Sequence, residues 1–260
     1  MLAEKNPNGV ALVTGGRRGI GRAIAIALAS KGFNVAVNDL VHDEALDCTI
    51  SGIRAFGRDA ISVIGDIAKL DGHEGLLRRV EAELGPIDCL VNNAGVMVPR
   101  RVDLLEISAE SLDHLLAINL RGPLLLTRLV AGQMLLRSNG DRYRSIVNIT
   151  SANAAMVSTE KSEYCISKAA MSMGTRLFAA RLAVHGISVF EVRPGLIQTE
   201  MTRDVWEKYG PRIQAGLTPS KRWGEADEVG KTVAALASGE LPFCTGSIIN
   251  VDGGMQIQQL

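Results

Sequence analysis

Short, continuously apolar runs recur along this chain and alternate with longer segments in which apolar residues return every three or four positions. Val10 to Thr14 (VALVT) is the first such run, the pattern of a strand buried on both faces. It leads into Gly15-Gly16-Arg17-Arg18-Gly19-Ile20-Gly21, after which Ile20, Ile24 and Leu28 form an i+4 stripe and Gly32 supplies a helix stop. The alternation continues with a strand over Asn34 to Asn38, a helix over 43–56, a strand ending at Gly65-Asp66-Ile67, a helix over 73–84, and a strand over Cys89 to Val91 that runs into Asn92-Asn93-Ala94-Gly95. Two helical stretches over 108–138, one starting at Ser108 and the second running from Asn119 to Arg137 with a soft break at Gly122-Pro123, precede a polar loop (138–144) and a strand over Ser145 to Ile149. A helix over 162–184, strands over Ser188 to Val192 and Ser247 to Val251, and a helix over Glu225 to Ala237 complete the pattern. It predicts an α/β fold: a doubly wound parallel sheet of about seven strands with right-handed crossovers and helices on both faces. No linker divides residues 1–260, so one domain is expected, with the irregular stretch 196–222 as a substrate lid, helical in part.

Composition narrows the picture. Apolar residues make up 47% of the chain and aromatics only 4%, so the core must be aliphatic. A formal net charge of zero removes any general argument for nucleic-acid or anionic-membrane partners. The first nine residues are polar and no uncharged run of about 18 apolar residues occurs, which predicts a soluble, cytoplasmic protein. Cys48, Cys89, Cys165 and Cys244 are scattered and no histidine has metal-ligand spacing, so reduced, structural thiols and no metal are expected. In LRGPLLLTRLVAGQMLLR the leucines go most of the way round, which predicts that this helix also packs on a second subunit.

The glycine turn between a buried strand and an amphipathic helix lets backbone N–H groups approach a pyrophosphate, which makes a dinucleotide the natural ligand. Asp39 closes the second strand, where a carboxylate bonds both ribose hydroxyls of NAD and repels the 2′-phosphate of NADP. Arg17 and Arg18 argue the other way if either pairs with that phosphate, so NAD is the expected cofactor and NADP stays open. Asp66 can meet an adenine amino group or simply close a turn. On the helix over 162–184, Tyr164 and Lys168 are i and i+4 and share a face. At about 4 Å and an effective dielectric of about 20, an ammonium favours a phenolate by up to about 4 kcal/mol, enough to bring tyrosine toward neutral titration. Ser151, at the end of a strand, can hold a substrate oxygen while the tyrosine moves the proton, which is acid/base chemistry at an alcohol or carbonyl carbon. Arg100 and Arg101 can meet an anionic substrate or carrier, or be solvated.

In order, TGGRRGIG (14–21), Asp39, Asp66, NNAG (92–95), Asn119, Ser151, YCISK (164–168), PGLIQT (194–199) and the closing VDGG resemble the short-chain dehydrogenase/reductase superfamily along nearly the whole chain. Within it the chain is similar to bacterial 3-oxoacyl-(acyl-carrier-protein) reductases. The resemblance implies a Rossmann-type fold, a homotetramer and hydride transfer between nicotinamide and a secondary alcohol or ketone. It implies that Tyr164 is the general acid/base, that Lys168 lowers its pKa and bonds the nicotinamide ribose, that Ser151 orients the substrate oxygen, and that Asn119 holds a water in the proton relay. Gly15, Gly19 and Gly21 would line the diphosphate, Asp66 the adenine, Asn93, Ala94 and Gly95 the ribose side, and Ile197 and Thr199 the nicotinamide amide. Ile20, Ile67, Pro194 and Gly195 belong to the same cofactor motifs. The expected function is that of an NAD-preferring dehydrogenase of a small sugar, polyol or hydroxy acid. The alternative is an NADPH-dependent 3-oxoacyl-(acyl-carrier-protein) reductase, and a cofactor-binding sensor without turnover is a third reading.

Overall fold

The computed structural model describes residues 9–137 and 142–258; the expected polar leader and part of the 138–144 loop lie outside these residues. Strand β1 (Val10–Thr14), helix α1 (Gly19–Ser30), β2 (Asn34–Asp39), α2 (Glu44–Arg54), β3 (Ala60–Ile64), α3 (His73–Leu84) and β4 (Ile87–Asn92) form the first half. The second half runs through α4 (Ala109–Leu116), α5 (Gly122–Leu136), β5 (Arg144–Ile149), α6 (Ser162–Leu182), β6 (Ile187–Pro194), β7 (Ile197–Gln198), α7 (Trp206–Arg212), β8 (Gly224–Glu225), α8 (Ala226–Ala237) and β9 (Ile248–Val251). Seven strands make one parallel sheet in the order β3-β2-β1-β4-β5-β6-β9. This is a Rossmann-type sheet, and its order reverses between β1 and β4, where a crevice opens at the strands' carboxyl ends.

Period-two alternation explains why the strands read as unbroken apolar runs. In β1, Ala11 and Val13 face a layer formed by Ile24 and Leu28 of α1, Leu46 and Ile53 of α2, and Val229 and Val233 of α8. Val10 and Leu12 face the opposite layer, with Leu77 and Val80 of α3, Leu126 and Val130 of α5, and Leu182 of α6. Both faces are covered, so the central positions of β1 are apolar on both sides. Local signals set the helix starts: Asp43 accepts from the Leu46 N–H ahead of α2, and Ser108 accepts from the Ser111 N–H ahead of α4.

The expected parting at Gly122-Pro123 does not occur. Residues 109–136 run as one helix, because a π-helical turn at Ala117–Arg121 shifts the ladder just before Pro123, which has no N–H to give. Gly122 is also needed here, since a Cβ would stand 2.4 Å from the Ile67 carbonyl oxygen. This helix is long and apolar enough to cross a membrane, with a mean hydropathy of 1.3 over an 18-residue stretch, yet Leu115, Leu126, Val130 and Met134 are buried inside the protein. Strands β7 and β8 pair in parallel, Ile197 with Gly224 and Gln198 with Glu225, and clasp the base of the 199–223 excursion that carries α7.

Candidate active site

A cleft of about 1170 Å³ lies along the carboxyl ends of the strands. Its floor is the glycine loop, which β1 delivers into α1. Gly15 has φ +63°, and a Cβ there would meet the Ala94 Cα at 2.8 Å. The loop is anchored from β4: the Thr14 hydroxyl accepts from the Asn93 and Ala94 N–H groups at 3.1 Å, and the Asn93 amide donates to the Thr14 and Gly15 carbonyls at 2.9 and 2.8 Å. Helix α1 has no side-chain cap and no acid in its first turn, so its leading N–H groups are left for an anion. That donor set fits a dinucleotide diphosphate.

Every expected cofactor residue lines this cleft: Gly15, Arg17, Arg18, Gly19, Ile20, Gly21, Asp39, Asp66, Ile67, Asn93, Ala94, Gly95, Pro194, Gly195, Ile197 and Thr199. Several are engaged with the protein itself, Asp66 in the turn that was one of its two expected roles. Asp66 accepts from the Ala68 N–H at 2.9 Å, a turn contact. Arg17 is held by two carboxylates, with its N–H donating to Asp39 Oδ2 at 3.1 Å, its Nε 3.6 Å from Asp39 Oδ1, and Nη1 paired with Asp43. Arg18 pairs with Glu200 and so ties the glycine loop to the start of the excursion.

Ser151, Tyr164 and Lys168 line the same cleft deeper in. Lys168 is 5% exposed, donates to the Ile149 carbonyl at 3.0 Å, and lies 5.6 Å from the centroid of the Tyr164 ring. Burial pushes its ammonium down to about 8, against the upward pull of the Glu191 carboxylate. Burial likewise pushes the Tyr164 phenol up, while a hydrogen bond with Ser151 pulls it down. The expected depression of the tyrosine is therefore not what this geometry yields: the phenol is desolvated, and the lysine is turned to a backbone carbonyl. Asn119 stands behind the lining, where Oδ1 accepts from the Val96 N–H at 2.8 Å and Nδ2 donates to the Val96 carbonyl and the Ser167 hydroxyl. Cys165 reaches toward the Met156 and Ser158 carbonyls instead of the cleft, a packing position.

Sequence reasoning missed the support beneath Lys168. Glu191 is fully buried and accepts from Thr150 Oγ1 at 2.6 Å, Ser172 Oγ at 2.7 Å and Arg193 Nε at 2.6 Å. Arg193 Nη2 also donates to Ser172 Oγ at 2.9 Å. The available signal was a charge of each sign two apart on a strand, hence on one face, in an otherwise apolar run. Lys161 was missed as well, because it precedes the helix, at its N-cap, and lies outside the expected span 162–184.

A family model described as enoyl-(acyl carrier protein) reductase matches residues 15–256. A 3-oxoacyl-[acyl-carrier-protein] reductase of Staphylococcus epidermidis is 35% identical over 248 residues, covering 95% of this chain and 99% of that protein. The crystal structure of a 3-oxoacyl-[acyl-carrier protein] reductase from Brucella melitensis in complex with NAD superposes with a TM-score of 0.93 at 46% identity, covering 97% of this chain and 98% of that one. An Agrobacterium tumefaciens structure provisionally named a gluconate dehydrogenase gives 0.89 at 30% identity, covering 96% and 97%. The fold and cleft define a nicotinamide-dependent oxidoreductase working between a secondary alcohol and its ketone. This chain belongs to the short-chain dehydrogenase/reductase superfamily.

The depressed Lys168 has a consequence for stability. An unfolded lysine titrates near about 10.4, so from about 8 to about 10.4 the unfolded chain holds a proton that the folded one has lost, and folding gains stability as pH rises. Lys168→Met removes this gain. Urea unfolding at pH 7.5 and pH 9.5 should show the stability difference between wild type and variant moving in favour of wild type at the higher pH; a constant difference would contradict the depression.

Proposed function

We propose that this protein is an NAD-preferring dehydrogenase of a small hydroxylated substrate, with Tyr164 as the general acid/base. The observation that carries the cofactor preference is the double tether of Arg17 to Asp39 and Asp43. With Arg18 paired to Glu200, both arginines that could meet a 2′-phosphate are matched by carboxylates. Asp39 and Asp43 set two negative charges against the one of Arg17, so the end of β2 keeps a net negative charge that favours ribose hydroxyls and repels a phosphate.

The cofactor, when bound, supplies nicotinamide C4 as the hydride donor or acceptor. Ser151 holds the substrate oxygen, and Tyr164 gives it a proton as the phenol in reduction or takes one as the phenolate in oxidation. Lys168 bonds the nicotinamide ribose and keeps a positive charge beside the phenol, while Asn119 steadies the Gly95-Val96 backbone from behind. Gly15, Gly19 and Gly21 with the α1 N-terminus hold the diphosphate, and Ile197 and Thr199 receive the nicotinamide amide. The excursion over 196–222 acts as the lid. A second reading, an NADPH-dependent 3-oxoacyl-(acyl-carrier-protein) reductase, is favoured by the names of the Staphylococcus and Brucella relatives. Ile166, Met173 and Leu177 are exposed on one stripe of α6, which supports assembly into a homotetramer.

Titration of nicotinamide fluorescence should give NADH at least tenfold tighter binding than NADPH, about 1.4 kcal/mol, and Asp39→Ala should narrow the ratio; tighter NADPH would move the second reading to first place. Tyr164→Phe should lower kcat by about 10²–10⁴ with little change in NADH affinity, and retained turnover would remove the tyrosine from the proton path. Light scattering should return the mass of four chains, and a monomer would refute the assembly.

A further inference from the structure

At its substrate end the cleft is lined by four cationic side chains, Arg101, Lys161, Lys208 and Arg212. Glu160 lies 3.9 Å from Arg101 and 3.6 Å from Lys208, and Arg212 packs over the Tyr209 ring at 5.4 Å. Lys161 differs. It sits in the turn that opens α6, its Nζ donates to Asn153 Oδ1 at 2.7 Å, and it lies 5.9 Å from the centroid of the Tyr164 ring. Among the described residues no carboxylate comes within 4.0 Å of it; the carboxylate next to it in sequence, Glu160, serves Arg101 and Lys208, and Glu163 accepts from Ser111 and Ser162. Lys161 is thus a half-buried cation beside the proton-transfer tyrosine whose two neighbours, the Asn153 amide and the Tyr164 ring, are both neutral.

Leaving a cation partly desolvated without a counter-ion is unfavourable, and the surroundings register it. Burial pulls the Lys161 ammonium down, and Arg101 and Lys208 pull the same way, against weaker support from Cys165 and Glu160. An anion delivered by the substrate would relieve this, and one ammonium with one amide matches a singly charged carboxylate. Asn153 follows Ser151 by two residues, and its N–H donates to Ser151 Oγ at 3.1 Å, so the residue that orients Lys161 also touches the serine that holds the reacting oxygen. A carboxylate on Lys161 would therefore lie within a few bonds of the carbinol carbon.

We propose that Lys161, oriented by Asn153, is the specificity-determining residue that binds the substrate carboxylate, and that the substrate is a short free hydroxy acid or its oxo acid. The proposal rests on the dehydrogenase reading above. In oxidation, the carbinol C–H bond breaks with both electrons passing as hydride to the oxidised nicotinamide, the O–H proton goes to the Tyr164 phenolate, which becomes the phenol, and a C=O bond forms; the carboxylate is unchanged. An acyl chain on a carrier has no free carboxylate at this distance from the reacting carbon, so the same lysine would face it unpaired.

The test compares kcat/KM of the cofactor-supplied enzyme for C4–C6 2-, 3- and 4-hydroxy acids, their methyl esters, their O-phosphates at a second hydroxyl, and a 3-oxoacyl N-acetylcysteamine thioester. Wild type should favour a free acid over its ester at least 30-fold. Lys161→Gln should raise KM for the acid at least 20-fold with kcat within threefold and leave the ester unchanged, and Lys161→Arg should keep most of the preference. A wild-type preference for ester, thioester or phosphate, or an equal loss on acid and ester in Lys161→Gln, would overturn the proposal while leaving the dehydrogenase reading intact. Calorimetric titration of malonate into the NADH-loaded protein gives a readout without turnover: Lys161→Gln should weaken it at least tenfold, and equal binding would refute the site. Loss of the dehydrogenase reading itself is read separately, from full activity in Tyr164→Phe.

Discussion

A lysine ammonium buried at the carboxyl end of the sheet makes the heaviest demand on this structure. Taking such a charge out of water is unfavourable, which is why the Lys168 ammonium is held down to about 8. What sustains it is local: the Ile149 carbonyl at the end of β5, and the Glu191 carboxylate on the neighbouring strand. Glu191 is buried in turn, and its oxygens are satisfied by Thr150, Ser172 and Arg193. Tyr164, Lys168 and Ser172 stand four apart on α6, so one helical face carries the phenol, the ammonium and the first layer beneath them. Thr150 adjoins Ser151, so the same network reaches the strand end that presents the serine.

The cleft is polarised along its length. At one end the uncapped α1 N-terminus leaves N–H donors suited to a diphosphate, and Arg17 is paired with Asp39 and Asp43. At the other, Lys161 faces the substrate with no carboxylate of its own. Between them Gly95 is the crossing point: a Cβ there would stand 3.2 Å from Asn119 Oδ1 and 3.3 Å from Lys168 Nζ. The donors suited to a diphosphate and the lysine proposed for a substrate carboxylate thus stand at separate ends of the cleft.

Much of this was legible in the chain because it rests on short-range rules. Seven parallel strands with helices on both faces follow from alternating burial periods, and the glycine turn, Asp39 and the Tyr164-Lys168 spacing are local in sequence. The helix through Gly122-Pro123 was misjudged because composition marks a break, whereas a single π turn can absorb a missing N–H. The direction of the tyrosine shift was misjudged because spacing gives the distance between two groups but not the loss of water around them.

Residue order and type by themselves determined the fold class, the strand ends at which a site must lie, and the chemical identities of its members. Only the tertiary structure decided which charges neutralise one another. Arg17 meets Asp43 from 26 positions away, Arg18 meets Glu200 from 182, and Glu160 serves Arg101 and Lys208 while leaving Lys161 unmatched. Coulomb energy and desolvation depend on distance and burial in space, and neither is a property of spacing along the chain.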